Sequence, residues 1–280
     1  MLTNFSHMLT KAYEGHYAIG SFNAYNYETI RGILEAGKEM GGGPVIVAFG
    51  KKYLSNMSLS DAAAIVRSLA RELDMEVCLH LDHCPDIPII YQAIRAGFGS
   101  VMFDGSALPF EENVALTAQV CRVAHACGVS VEAELGSLAA GEQSHEGTAQ
   151  DRQVYTDPEK AREFVERTGV DALAVSVGTV HGLYKGEPNV RVDILKEINE
   201  KCGIPLVLHG GSGVPEETIQ ACIQNGISKI NVNTEISVYA VEQLRKALEE
   251  GKPHLSVLSR LEEKAVSEVV VKYMKFFRGR

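Results

Sequence analysis

Short apolar runs and longer amphipathic stretches take turns along almost the whole chain. Residues 17–23 read as a first short strand. From 27 to 40 the spacing turns helical, with Ile30, Ile33, Leu34 and Gly37 on one face. Gly41, Gly42, Gly43 and Pro44 stop that helix. The β-branched run 45–48 suits a strand buried on both faces. Ser60 is placed to cap a helix running to Leu73. Strands over 77–81, 100–104 and 129–134 are then separated by helices over 87–96 and 111–127, each ended by a glycine. The stretch 136–155 breaks the rhythm. It is rich in Gly, Ser, Gln and Glu, and a connection this long inside a domain is usually a functional lid or an insertion. Asp157 and Pro158 then suit the N-cap and first position of a helix. Strands over 171–177, 206–208 and 228–232 follow, with helices over 192–201, 215–224 and 234–249. A last helix covers 256–277.

Eight strands, mostly followed by helices, over about 250 residues predict an α/β fold: a (β/α)8 TIM barrel with a C-terminal helical extension. An open doubly wound sheet is the rival. It would carry its glycine-rich phosphate turn after the first strand, whereas here that turn follows the seventh. Neither a linker nor a repeat beyond the β/α unit interrupts the pattern, so residues 1–280 are expected to form one domain.

Composition narrows the function. With 45% apolar residues the chain can bury a large core, and no apolar run is long enough to span a bilayer. Met1-Leu2-Thr3-Asn4-Phe5 lacks the basic-then-apolar start of a signal peptide, so a cytoplasmic protein without a membrane partner is expected. Six cysteines without a Cys-x-x-Cys pair point to reduced, mostly buried thiols. A net charge of −9 argues against a nucleic-acid partner, which needs a basic face.

In a barrel all strand C-termini open on one face, where the active site lies. Polar residues fall at those ends: Asn23, Asp82 and His83, Asp104, Glu134, His181, His209 and Asn231. Three histidines, His83, His181 and His209, describe a catalytic zinc (Zn2+) site with an open position, and Glu134 is available as an extra ligand. Asp82 and His83 are neighbours, so both can face the site only if the chain has left strand geometry there. His80, sharing parity with Asp82, reads as a lower-layer barrel residue. Gly210, Gly211, Ser212 and Gly213, followed by a helix, resemble an anion nest. Asn233 and Thr234 are placed to complete it or to cap the next helix.

The stretches 80–83, 131–136, 178–184, 208–213 and 229–235 together resemble the class II, zinc-dependent fructose-bisphosphate and tagatose-bisphosphate aldolases, over roughly residues 18–248. The resemblance implies a phosphorylated ketose as substrate, and dihydroxyacetone phosphate plus an aldehyde as products. It implies zinc on His83, His181 and His209, with Glu134 used during metal movement. Asp82 would be the acid/base on the C4 hydroxyl and Glu142 would handle the C3 proton. Asn231 would contact the enediolate, and Asn23 the substrate. Gly182, Gly211, Ser212, Asn233 and Thr234 would hold the C1 phosphate. Backbone around Val180, Gly182 and Gly210 would surround a monovalent cation, Na+ or K+. A homodimer or homotetramer is implied, with an accessory subunit in tagatose-type members.

The chain departs from that family where the aldehyde half binds. Gly50 stands where many bisphosphate aldolases carry Ser or Thr, and His254-Leu255-Ser256 replaces an Asp-Pro-Arg segment. Lys51, Lys52, Arg260 and Arg280 are candidates to compensate. A ketose-1-phosphate aldolase with another aldehyde half is therefore an alternative. So are a zinc hydrolase on the same barrel, which would not need a phosphate nest beside the metal, and a non-catalytic phosphosugar-binding subunit, which would need neither Asp82 nor Glu142.

Overall fold

A computed structural model describes residues 2–144, 154–184, 186 and 188–278. Eight parallel strands close into a barrel. They are β1 (Ile19–Asn23), β2 (Val45–Gly50), β3 (Val77–Cys84), β4 (Ser100–Phe103), β5 (Ser130–Leu135), β7 (Ala172–Val175), β9 (Leu206–Leu208) and β10 (Ile227–Val232). Helices α2 (Tyr27–Glu39), α3 (Leu59–Glu72), α4 (Ile87–Ala96), α5 (Phe110–Ala126), α6 (Pro158–Thr168), α7 (Val192–Cys202), α8 (Glu216–Gln224) and α9 (Thr234–Glu250) each follow one barrel strand. The fold is the expected (β/α)8 barrel with its terminal helix, α10 (Leu255–Phe277). That helix packs on α2 and α9, burying Val266, Val270, Tyr273 and Phe277 against its own barrel. No helix among the described residues is long and apolar enough to cross a membrane. All six cysteines are free thiols.

Two elements depart from the sequence reading. Helix α1 (Ser6–Gly15) precedes the first strand and was not expected. Phe5, Met8, Leu9 and Ala12, at helical spacing, pack with Ile19, Ile46, Cys78, Ala172, Ala174 and Val207. Those partners are inward residues of five different strands, so α1 plugs the lower end of the barrel and gives it a dry floor. Second, the stretch after β5 is not wholly irregular. Ala139–Ala140 (β6) pairs in parallel with Val180–His181 (β8), Ser137 bridges Val154, and Glu142 bridges Leu183. The remainder of that stretch, 145–153, lies outside the described residues.

One local assignment also moves. Ser58, not Ser60, caps α3, accepting the Asp61 N–H at 3.1 Å. Above the apolar floor the inward positions change character. Ser21, Asn23, His80, Asp82, Glu132, Glu134, Lys229 and Asn231 are all buried there. Alternation along each strand sends them to the same side of the pleat.

Candidate active site

The neighbour problem at Asp82 and His83 is solved by the backbone. His83 has φ +44, and the pairing of β3 with β4 slips between Leu81 and Cys84. A bulge of this kind re-aims one side chain without ending the strand. Asp82 therefore stays on the inward row, and His83 turns over the strand end beside it. His83 thus lies within β3 rather than past its end, as the sequence had suggested. His209 directly follows β9, while His181 sits on the small strand β8 rather than on a barrel strand.

The three imidazoles converge. Ring centroids lie 5.0 Å apart for His83–His181, 4.6 Å for His83–His209 and 6.0 Å for His181–His209. One nitrogen from each falls within 4.8 Å of the others. Each of two rings has its other nitrogen engaged. His83 donates Nδ1–H to Asp104 Oδ2 at 2.9 Å, and His209 donates Nε2–H to Glu132 Oε1 at 2.9 Å. A carboxylate behind an imidazole fixes its tautomer and raises its basicity as a ligand. The nitrogens left over, His83 Nε2 and His209 Nδ1, are buried without a hydrogen-bond partner, as is Glu134 Oε2. Glu134 Oε2 lies 3.8 Å from His83 Nδ1 and 3.9 Å from His209 Nδ1.

The electrostatics favour a cation. Burial alone would lower the pKa of His83, but Asp82, Asp104 and Glu134 outweigh it and hold the pKa well above the ordinary histidine value. Burial and the nearby charge of Asp104 push Glu134 well up. Burial would likewise raise Asp104, yet hydrogen bonds from His83 and Ser106 hold it below the carboxylate range. Burial keeps His209 neutral, helped by the charges of His83 and Lys229. Two orphaned nitrogens, an orphaned carboxylate oxygen and a field that seeks positive charge fit a divalent metal.

Asp82 is clamped beside the metal cluster. Asn23 donates to its Oδ2 at 3.0 Å, and Asn231 donates to its Oδ1 at 3.1 Å. Burial would raise its pKa, but the positive charges of His83 and Lys229 prevail and lower it. It is an ionised carboxylate with lone pairs to spare. His80 keeps its lower-layer place, fully buried with Nδ1 2.8 Å from Ser100 Oγ.

The glycine-rich turn is less free than a nest of four amides. Gly211 donates its N–H to Asn231 O at 3.0 Å, and Gly213 donates to the Tyr273 hydroxyl at 2.9 Å. Among the described residues no backbone acceptor takes the Gly210 or Ser212 amide, so these are the members open to an anion. Ser212 Oγ accepts the Glu235 N–H at 3.3 Å, so the turn meets the first residues of α9, Thr234 among them. Asn233 holds the N-cap position of α9 without capping it. Its Oδ1 accepts from the Tyr25 hydroxyl, and its Nδ2 donates to Tyr53 OH at 3.3 Å. Gly182 packs under the backbone of Glu142, and Tyr184 ties that segment to Gly210 O at 2.9 Å. Tyr273 braces the turn, accepting from Gly213 and donating to Glu235 Oε2, so Tyr273→Phe removes both bonds; the share of ~1 kcal/mol from the Gly213 bond is expected to raise KM for a phosphorylated substrate about fivefold, with kcat little changed. Steady-state kinetics checks this.

Glu142 is exposed, and its backbone exchanges hydrogen bonds with Leu183 at 2.8 and 2.7 Å. The ligand-atom groups found among the described residues do not include it. Of the candidates for the aldehyde end, Lys51 pairs with Asp86 at 3.7 Å. Arg260 lines a groove between α2 and α10 on the outer side of the barrel. Arg280 lies outside the described residues. Glu132, Lys229, Tyr25, Tyr53 and Tyr273 were missed in the sequence. For Glu132 and Lys229 the signal was present: charges on buried strands, in phase with Glu134 and Asn231.

The profile of the family described as "Fructose-bisphosphate aldolase class-II" matches residues 3–280. The chain is 41% identical over 244 residues to a sulfofructosephosphate aldolase of Alkalicoccus urumqiensis, covering 87% of this chain and 84% of that protein. It is 42% identical to the D-tagatose-1,6-bisphosphate aldolase subunit GatY of Klebsiella oxytoca, covering 87% and 85%. The crystal structure of the YdjI aldolase from Escherichia coli K12 superposes with a TM-score of 0.88 at 36% identity, covering 99% of this chain and 97% of that one. With that barrel, that histidine cluster and a match along nearly its whole length, the chain belongs to the class II fructose-bisphosphate aldolase family.

Proposed function

We propose that this protein is a zinc-dependent aldolase that reversibly cleaves the C3–C4 bond of a ketose 1,6-bisphosphate of the fructose or tagatose type. The products are dihydroxyacetone phosphate and an aldehyde, glyceraldehyde 3-phosphate where the distal phosphate is read. The observation that carries this reading is the ionised, doubly clamped Asp82 directly beside the three-histidine cluster.

His83, His181 and His209, with Glu134 in reserve, would hold the zinc, which when bound would supply a Lewis acid for the charge that develops on the ketone oxygen. Asp82 accepts the C4 hydroxyl proton as the C3–C4 bond breaks and returns it in condensation. Asn231, held against Asp82, faces the same reacting carbons. Ser212, Gly210, Gly182 and the first residues of α9, with Asn233 and Thr234, orient the C1 phosphate, which a helix N-terminus favours, while Gly211 shapes the turn through its bond to Asn231 O. Glu142 handles the C3 proton from the segment above the site. A monovalent cation near Val180 and Gly210 belongs to the same reading, as do a single domain over 1–280, a cytoplasmic homodimer or homotetramer, and an accessory subunit in the tagatose case.

A second reading, a ketose-1-phosphate aldolase with a different aldehyde half, is favoured by one contact. The Tyr53 ring lies 3.3 Å from where a Cβ on Gly50 would stand, filling the space of the expected Ser or Thr. The relatives are named for sulfofructose phosphate and tagatose 1,6-bisphosphate, so a phosphorylated ketose is shared while the remainder differs.

The test is dihydroxyacetone phosphate release from fructose 1,6-bisphosphate, tagatose 1,6-bisphosphate and ketose 1-phosphates, each with zinc and with chelator. Release that chelator abolishes and zinc restores is expected. Zinc-loaded protein that releases none from any of them would sink the aldolase reading.

A further inference from the structure

The proton-handling side of the site and the metal side are joined through one residue that neither uses directly. Lys229 is fully buried on β10. Its Nζ donates to Asn231 Oδ1 at 2.6 Å and lies 2.9 Å from Glu132 Oε2. Asn231 in turn donates from Nδ2 to Asp82 Oδ1, and Glu132 Oε1 accepts from His209 Nε2. The line of contacts thus runs from Asp82 through Asn231, Lys229 and Glu132 to His209, across β3, β10, β5 and the end of β9.

We propose that Lys229 is a positioning residue for the aldol reaction, setting the orientation of the Asn231 amide and the placement of the Glu132 carboxylate at once. An ammonium only donates, so Asn231 must turn its oxygen to Lys229, which leaves its NH2 for the Asp82 carboxylate. Without that donor only the Asp82 carboxylate would hold the amide, and the Asn231 oxygen would lose its partner in a buried place. The same ammonium compensates Glu132, which must be an acceptor to hold His209 with Nδ1 free. A buried lysine placed only for stability would need one carboxylate partner; here the second bond, to Asn231, is the shorter. This inference rests on the class II aldolase reading.

The test separates the two jobs. Lys229→Met alone strands the Glu132 charge in the barrel and endangers folding. Lys229→Met together with Glu132→Gln removes both charges and leaves an acceptor for His209. That double variant is expected to fold, to bind zinc stoichiometrically, and to lose about 10²-fold in kcat with KM unchanged, the cost of a misplaced reacting group. Because Lys229 acts through Asn231, adding Lys229→Met to a protein carrying Asn231→Ala and Glu132→Gln is expected to cost no more than about twofold in kcat. Wild-type protein run on the same ketose phosphates is the control: if it does not cleave them, the functional reading fails, not this one. With active wild type, a double variant of full kcat would make Lys229 merely a counter-charge. Additive losses in the Asn231→Ala background would likewise overturn the positioning role.

Discussion

Replacing Asp82 by alanine is expected to lower kcat for cleavage about 10³-fold, within the range set by loss of a general acid/base, while the protein folds and binds zinc as before. On the aldolase reading, the carboxylate has the charge and the placement to take the C4 hydroxyl proton. It is buried, held by Asn23 and Asn231, and kept ionised by neighbouring positive charge. Alanine removes the base but neither of the carboxylates that hold two of the three imidazoles, Asp104 behind His83 and Glu132 behind His209. Zinc content and the affinity for dihydroxyacetone phosphate are therefore expected to survive. Measuring both beside turnover separates a lost proton transfer from a lost site. A variant with normal turnover would assign the proton to another group, with Glu142 next in line.

Gly210→Ala, the addition of one methyl group, is expected to weaken zinc binding about 10–100-fold, the range seen when a ligand's support is disturbed. Gly210 has φ +69, in the left-handed region where an alanine costs roughly 1–2 kcal/mol. More severely, its Cβ would stand 2.2 Å from Val180 O and 2.8 Å from Val180 C. Both are backbone atoms of a paired strand and have no rotamer to escape into. Gly210 follows His209 and Val180 precedes His181, so the methyl drives apart the two segments that carry those ligands. A zinc titration against a chromophoric chelator reads the effect, and thermal unfolding of the metal-free form reads the strain separately. Unchanged zinc affinity would show that the segments move together and that the close approach does not set the ligand geometry.

The barrel was legible because its signals are local. Apolar runs of strand length, amphipathic helices and glycine stops recur in order, and closure into eight strands follows from their number. The missed helix α1 had a readable period in Phe5, Met8, Leu9 and Ala12. What was invisible was its task, since its partners come from five strands spread from Ile19 to Val207. The pairing of β6 with β8 had no local signal, because two-residue strands have no period. Asn233 looked like a helix cap by position, but two tyrosines from the β1 and β2 ends claim its amide instead.

The sequence by itself determined which polar side chains gather at the strand ends. Histidines, Asp82 and Asn231 at the ends of buried strands have few other uses there, and alternation alone sends Glu132, Glu134 and Lys229 inward. Only the tertiary structure decided what each one touches. The left-handed turn at His83, the carboxylates behind His83 and His209, and the lysine between Glu132 and Asn231 all depend on the register of strands distant in sequence. Alternation tells each residue which face to take, but a hydrogen bond needs the height of its partner on another strand. That height is set by barrel closure and by the slip at Leu81–Cys84.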